Sequence, residues 1–189
     1  MSNKIFDVKA VEAKKTDGYS YLYNVRDKFK SLEKEEIIKH LQETASGFAI
    51  CMCHVEYDFN IAGVIRAANN FNANEIFYFG TKKFDRRGAC GSYHYNPFQY
   101  LKTYEEFISL KEKYTFVGFE TGGEPLITFD WKKFDKPPMI IIGSENLGIP
   151  EEIVKTCEYM VEIPSLGSIR SLNAAVASSI AMYDFIAKK

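Results

Sequence analysis

No stretch of this chain is long and apolar enough to cross a bilayer: no run approaches the roughly 20 residues that a spanning helix needs. The opening MSNKIFDVKAVEAKK also lacks the apolar core of a signal peptide, so the sequence predicts a cytoplasmic protein without membrane contact. Cysteine is sparse and has no CxxC pair. Of Cys51, Cys53, Cys90 and Cys157, the first two fall in a run that reads as a buried strand, so free thiols in a reducing compartment are expected. His40, His54 and His94 are scattered without metal-ligand spacing, and no metal is expected. Neither GxGxxG nor a P-loop pattern occurs, which weakens dinucleotide and nucleoside-triphosphate readings. A net charge is missing too. With 24 Lys+Arg against 25 Asp+Glu, the formal charge is -1, so any contact with a polyanion has to be local.

What is present is a core. The 189 residues are 46% hydrophobic, enough for one compact domain. Residues 1–46 read as an N-terminal extension, polar and Lys-rich, closing with one amphipathic helix. That helix opens at Ser31 in a capping-box-like SLEKE, carries Leu32, Ile37, Ile38 and Leu41, and ends near Gly47. From there to residue 189, short apolar runs alternate with helix-like stretches. The strands are Phe48 to Cys53, Glu75 to Phe79, Thr115 to Phe119, Met139 to Ile142 and Met160 to Ile163. The helices are Asn60 to Phe71, Thr103 to Lys113, Pro150 to Lys155 and about Ser171 to Ala187. This alternation predicts an α/β fold, a mostly parallel sheet with helices on both faces. The continuous apolar runs suit strands covered on both sides.

Ligands of open parallel sheets bind beyond the carboxyl ends of strands, and three such ends carry polar residues. After the first strand, NIAGVIRAANNF places Ile61, Val64, Ile65, Ala68 and Phe71 on a buried helix face. Arg66 lies off that face, about 120° around the helix from Asn60. Read alone, this segment is a helix cap and a surface ion pair. After Met139 to Ile142 comes GSENLGIP, with Gly143 permitting close backbone approach and Glu145 an isolated acid. After Met160 to Ile163 comes PSLGSIRSLN, where Ser171 is placed to cap the last helix. Asn173 sits in its first turn without a structural need, ahead of the stripe Val176, Ile180, Tyr183. The best cationic patch is TKKFDRRGACGSYHY, in which Lys82, Lys83, Arg86 and Arg87 precede Tyr93. Cations for phosphates beside aromatic faces for bases suit unpaired RNA, and a solvated loop is the equally weighted alternative.

In this order, NIAGVIRAANNF, IIIGSENLGIP and IPSLGSIRSLNAAVA resemble the three motifs of the SpoU (TrmH-like) branch of the SPOUT RNA methyltransferases, over roughly Gly47 to Ile186. The resemblance implies a C-terminal trefoil knot, a homodimer, S-adenosylmethionine as cofactor, and methylation of a ribose 2′-hydroxyl of tRNA or, less readily, rRNA. By motif it implies catalytic roles for Asn60, Arg66, Glu145, Ser171 and Asn173. It places the cofactor near Glu120, Thr121, Gly143, Ile163, Ser171 and Leu172, with Ile163, Leu166 and Leu172 as apolar walls. Because a guanidinium stays charged, the role that fits Arg66 is to hold the phosphate and stabilise the developing alkoxide rather than to act as the base. A knotted RNA-binding protein without transfer activity and a knotted base methyltransferase stand as alternatives.

Overall fold

The computed structural model describes residues 25–55, 57–80 and 83–189, and among them no helix is long and apolar enough to cross a membrane. Most of the expected N-terminal extension therefore lies outside the described residues. Contacts divide the chain into a unit ending at Leu32 and a unit from Glu33 to Lys189. Of the first, only a short 3-10 turn over Asp27–Phe29 is described as regular structure.

The second unit is built on six strands: β1 (Ala49–Cys53), β2 (Glu75–Phe79), β3 (Phe98–Tyr100), β4 (Thr115–Pro125), β5 (Pro138–Ile142) and β6 (Tyr159–Glu162). All neighbours pair in parallel, in the order β3-β2-β1-β5-β4-β6. The helices are α1 (Lys34–Glu43), α2 (Asp58–Asn70), α3 (Tyr104–Ser109), α4 (Glu151–Val154) and α5 (Ala174–Lys188). Because side chains alternate across a strand, the apolar runs feed two separate cores. Ile50, Met52, Ile140 and Ile142 pack on one face with Ile61, Val64 and Ile65 of α2 and Ala181, Met182 and Phe185 of α5. Ala49, Cys51, Cys53, Met139 and Ile141 pack on the other with Phe107 of α3 and Ile153 of α4. Every residue of β1 and β5 is buried.

Four local expectations shift. The capping box of α1 is made by Glu33 and Glu36, not by Ser31: Glu33 accepts from the third helical amide, and its own N–H donates to Glu36 Oε2 at 2.8 Å. Strand β3 has only three residues and follows Pro97, too short a signal to stand out in sequence. It forms the sheet edge, where Phe98 stacks on Tyr78 with ring centroids 4.7 Å apart. Strand β4 runs six residues past Phe119 by bulging, so that its register against β6 jumps between Phe119 and Glu124. The last helix begins at Ala174 rather than Ser171.

Burial on the α3/α4 side also makes an alkaline prediction. It is the main cause pushing the Cys157 thiol from an ordinary 9.0 up to about 12 and raising Cys53, and with the Glu75 carboxylate it raises Tyr114. The native state keeps these protons where the unfolded chain loses them, so stability falls as pH rises from about 9 toward 12. Urea midpoints measured across that interval will decline.

Candidate active site

A cavity of about 300 Å³ opens where β4 bulges away after Phe119, beyond the ends of β5 and β6. Its wall includes Glu120 and Thr121 from the bulge, Gly143 to Gly148 from the turn after β5, and Ile163, Ser171 and Leu172 from the segment after β6. All six residues expected to lie near a cofactor thus meet in one place, with Glu145 among them. Leu166 does not join them. It is fully exposed and off the wall, because the 163–173 segment has no regular structure to impose a facing pattern. Arg170 is on the wall and was overlooked in the sequence, since a loop arginine there reads as surface.

Backbone approach fixes the shape of the cavity. A Cβ on Gly143 would stand 2.1 Å from the Gly148 carbonyl carbon and 2.2 Å from the Ile149 nitrogen. The turn between them is closed by paired bonds, Ser144 N–H to Gly148 O at 3.1 Å and Gly148 N–H to Ser144 O at 2.9 Å. Gly148 is left-handed at φ 69°, a conformation that favours glycine. Glu120 holds this turn against β4 by accepting from Ile149 N–H at 3.1 Å through Oε2. Glu162 steadies the bulge, accepting from Gly122 N–H at 2.8 Å.

The three motif segments are joined by one chain of side-chain hydrogen bonds. Asn173 Nδ2 donates to Asn60 Oδ1 at 2.8 Å, and Asn60 Nδ2 donates to Glu145 Oε1 in a short bond. Asn60 is buried in the first turn of α2, yet it is not the cap: Tyr57 holds that position without a side-chain bond. Its amide is instead spent on crossing from the end of β1 to the end of β5, adjacent strands at the point where strand order reverses. Glu145 Oε2 is buried and has no hydrogen-bond partner among the described residues. A buried carboxylate oxygen without a donor is costly, and its place on a cavity wall fits a ligand that brings one.

Asn173 has the structural role that the sequence did not reveal. It is the N-cap of α5, its Oδ1 accepting from Ala175 N–H at 3.0 Å and Val176 N–H at 3.3 Å. Ser171 lies outside the helix, exposed on the cavity wall. One carboxamide therefore caps a helix with its oxygen and orients Asn60 with its nitrogen. The two roles separate by substitution. Asn173→Ala will lower stability by about 1 kcal/mol, a typical cap loss, whereas Asn173→Asp retains the accepting oxygen and loses only the donation to Asn60. Urea unfolding of both variants distinguishes them.

Arg66 stands apart from this network. It is exposed on α2, off the cavity wall, and donates from a guanidinium nitrogen to Cys90 Sγ at 3.3 Å. Cys90 belongs to the basic segment, whose 3-10 turn Arg86–Ala89 is followed by a second turn Ser92–His94. Of the cations expected there, Lys82 lies outside the described residues. Lys83 is exposed, and Arg87 is engaged by Asp85 through Nε at 2.7 Å. Arg86 sits over the Tyr93 ring, 5.2 Å from its centroid. Burial, with the charges of Lys34 and Arg86, holds His94 below its usual range, and its ring lies 4.1 Å from that of Tyr93, centroid to centroid.

The SpoU rRNA methylase family model matches residues 47–183. The chain belongs to that family. The SpoU chain is 26% identical over 188 residues to an uncharacterized tRNA/rRNA methyltransferase of Archaeoglobus fulgidus, covering 96% of this chain and 82% of that protein. It is 24% identical to the tRNA (guanosine(18)-2′-O)-methyltransferase of Escherichia coli K12, covering 78% of this chain and 66% of the relative. The solved SpoU methyltransferase AviRb from Streptomyces viridochromogenes, in complex with the cofactor AdoMet, superposes with a TM-score of 0.67 at 25% identity. That alignment covers 75% of this chain and 58% of AviRb. The SpoU chain thus spans under two thirds of these last two relatives.

Proposed function

We propose that this chain transfers the methyl group of S-adenosylmethionine to a ribose 2′-hydroxyl of RNA, with tRNA preferred over rRNA. The observation that carries the reading is the Asn173–Asn60–Glu145 chain ending in an unpartnered buried carboxylate oxygen on a glycine-shaped cavity. Membership of the SpoU family and the AdoMet complex of AviRb support it, and the named substrate of the E. coli relative supports the tRNA preference.

The cavity residues fit the cofactor. About 300 Å³ is at the lower end of small-ligand sites, its floor is a backbone turn whose close approach Gly143 permits, and Glu145 Oε2 offers an acceptor to a ligand hydroxyl or ammonium. Glu120, Thr121, Gly143, Ile163, Ser171 and Leu172 would hold it. When bound, the cofactor supplies a methyl group made electrophilic by its sulfonium. Transfer to oxygen consumes that positive charge, so walls that exclude water favour it, and Ile163 and Leu172 provide them. Asn60 and Asn173 lock the geometry of Glu145, and Ser171 orients ribose or cofactor at near-attack distance. Arg66, exposed and cationic, holds a backbone phosphate and stabilises the developing alkoxide, whose proton passes to solvent water as the ribose oxygen takes up the methyl group.

The reading includes the C-terminal knot and a homodimer. The stripe Val176, Ile180 and Tyr183 on α5 faces outward, with Tyr183 64% exposed, while the helix buries Ala174, Ser178, Ala181, Met182 and Phe185. The stripe and Gly63 of α2 line a shallow apolar groove, a surface that a second copy would cover. A dimer also doubles the local cationic patch offered to one RNA.

Ligand-dependent melting provides the first test. S-adenosylmethionine will raise the melting temperature and flavin mononucleotide will not. Unmodified tRNA transcripts will then accept labelled methyl groups faster than rRNA transcripts; the reverse order would overturn the tRNA preference alone.

A further inference from the structure

Helix α2 carries a large aromatic side chain that its own fold leaves uncovered. Phe59 is 69% exposed, and Tyr57 just before the helix is 57% exposed, whereas Ile61, Ala62, Val64, Ile65 and Ala68 are buried. One residue after Phe59 is Asn60, bonded to Glu145 on the cavity wall. Seven residues after it is Arg66. At about 100° and 1.5 Å per residue, seven steps bring Phe59 and Arg66 within about 20° of each other on one stripe, roughly 10 Å apart along the axis. The basic segment lies beside this stripe. A Cβ on Gly88 would stand 3.0 Å from the Ala62 Cβ and 3.8 Å from Phe59 Cδ1. From the same turn Arg86 covers Tyr93, and Cys90, directly after it, accepts from Arg66.

A single exposed phenylalanine is ordinary on a protein surface. Its place in this row is what gives it meaning. Ring and guanidinium share one helix stripe, the cavity network starts between them, and cations flank them, which is the combination that unpaired RNA uses, with a π-face for a base and charge for the phosphates. We propose that Phe59 stacks on the nucleobase of the nucleotide whose ribose is methylated. It is a specificity-determining residue: the base lies on the ring, a phosphate meets Arg66, and the ribose between them faces the cavity whose Glu145 is held by Asn60. This rests on the reading of the chain as an RNA ribose methyltransferase. Stacking reads the size of a π-face rather than hydrogen-bond identity, so Phe59 favours purines at the target position.

The test compares the full chain with Phe59→Ala and Phe59→Trp. A short unpaired RNA carrying 2-aminopurine will be quenched on binding the parent chain and Phe59→Trp, and the quench will be lost in Phe59→Ala. On unmodified tRNA transcripts, Phe59→Ala will lower kcat/KM about 10-fold or more while Phe59→Trp stays within about threefold. The melting shift given by S-adenosylmethionine and the oligomeric mass will not change. Removing the base at the methylated nucleotide will slow the parent chain but add little to Phe59→Ala, the coupling expected of direct contact. The proposal is overturned if Phe59→Ala keeps both the quench and the rate, or if its loss accompanies a change in oligomeric mass, which would assign the ring to a subunit interface. A parent chain that transfers methyl groups alongside an unaffected Phe59→Ala removes the stacking and leaves the methyltransferase reading. Quenching through Phe59 without any methyl transfer does the opposite.

Discussion

Gly143→Ala will abolish binding of S-adenosylmethionine and destabilise the fold. The added methyl would lie 2.1 Å from one backbone atom and 2.2 Å from another, and neither belongs to a flexible side chain that can turn aside. Relief requires opening the Ser144–Gly148 turn, which is closed by two backbone bonds and tied to β4 through Glu120. Overpacking of this kind costs about 1–3 kcal/mol, and the displaced turn carries Glu145 with it. Calorimetric titration is expected to show cofactor affinity weakened beyond measurement, and urea unfolding a lowered midpoint. Gly167→Ala is the control on the neighbouring loop. A Cβ there meets nothing within 4 Å, so stability stays unchanged.

The second large effect is expected at Arg66. Arg66→Ala will reduce single-turnover methylation of RNA by roughly 10²- to 10³-fold, the range for removing one electrostatic stabiliser of a developing oxyanion. Cofactor binding will survive, because Arg66 is not on the cavity wall. Arg66→Lys will recover only part of the rate, since an ammonium lacks the planar fork that engages phosphate through two bonds. Near-normal turnover in Arg66→Ala would remove the assignment. Together the two variants divide the site: one blocks the cofactor, and the other spares it while losing transfer.

The parts of the molecule that were legible in its sequence are those governed by local pattern. Phe48 to Cys53 and Met139 to Ile142 read as strands, within a residue of the observed Ala49–Cys53 and Pro138–Ile142, because burial on both faces demands uninterrupted apolar residues, and α2 reads as a helix because Ile61, Val64, Ile65 and Ala68 recur at helical spacing. The residues that the resemblance places near a cofactor, Gly143, Ile163, Ser171 and Leu172 from the ordered motifs and Glu120 and Thr121 from outside them, line one cavity. What remained hidden was long-range or irregular. Asn60 and Glu145 are 85 positions apart, and no spacing rule links them. Asn173 and Ser171 are both good capping residues two positions apart, and only the path of the 163–173 segment selects the asparagine. The same segment has no periodicity to tell that Leu166 turns to solvent while Arg170 joins the wall. The Val176, Ile180 and Tyr183 stripe was visible as apolar, but not as the outward side of α5.

The central claim, methyl transfer to a ribose hydroxyl, is tested most directly by nucleoside mass analysis. Unmodified tRNA and rRNA transcripts are incubated with the protein and deuteromethyl-labelled S-adenosylmethionine, digested to nucleosides, and separated. The account predicts label in a 2′-O-methylnucleoside, with the methyl retained on the ribose fragment after the glycosidic bond is cleaved. Label on the base fragment, or none in either RNA from protein that binds the cofactor, would contradict it.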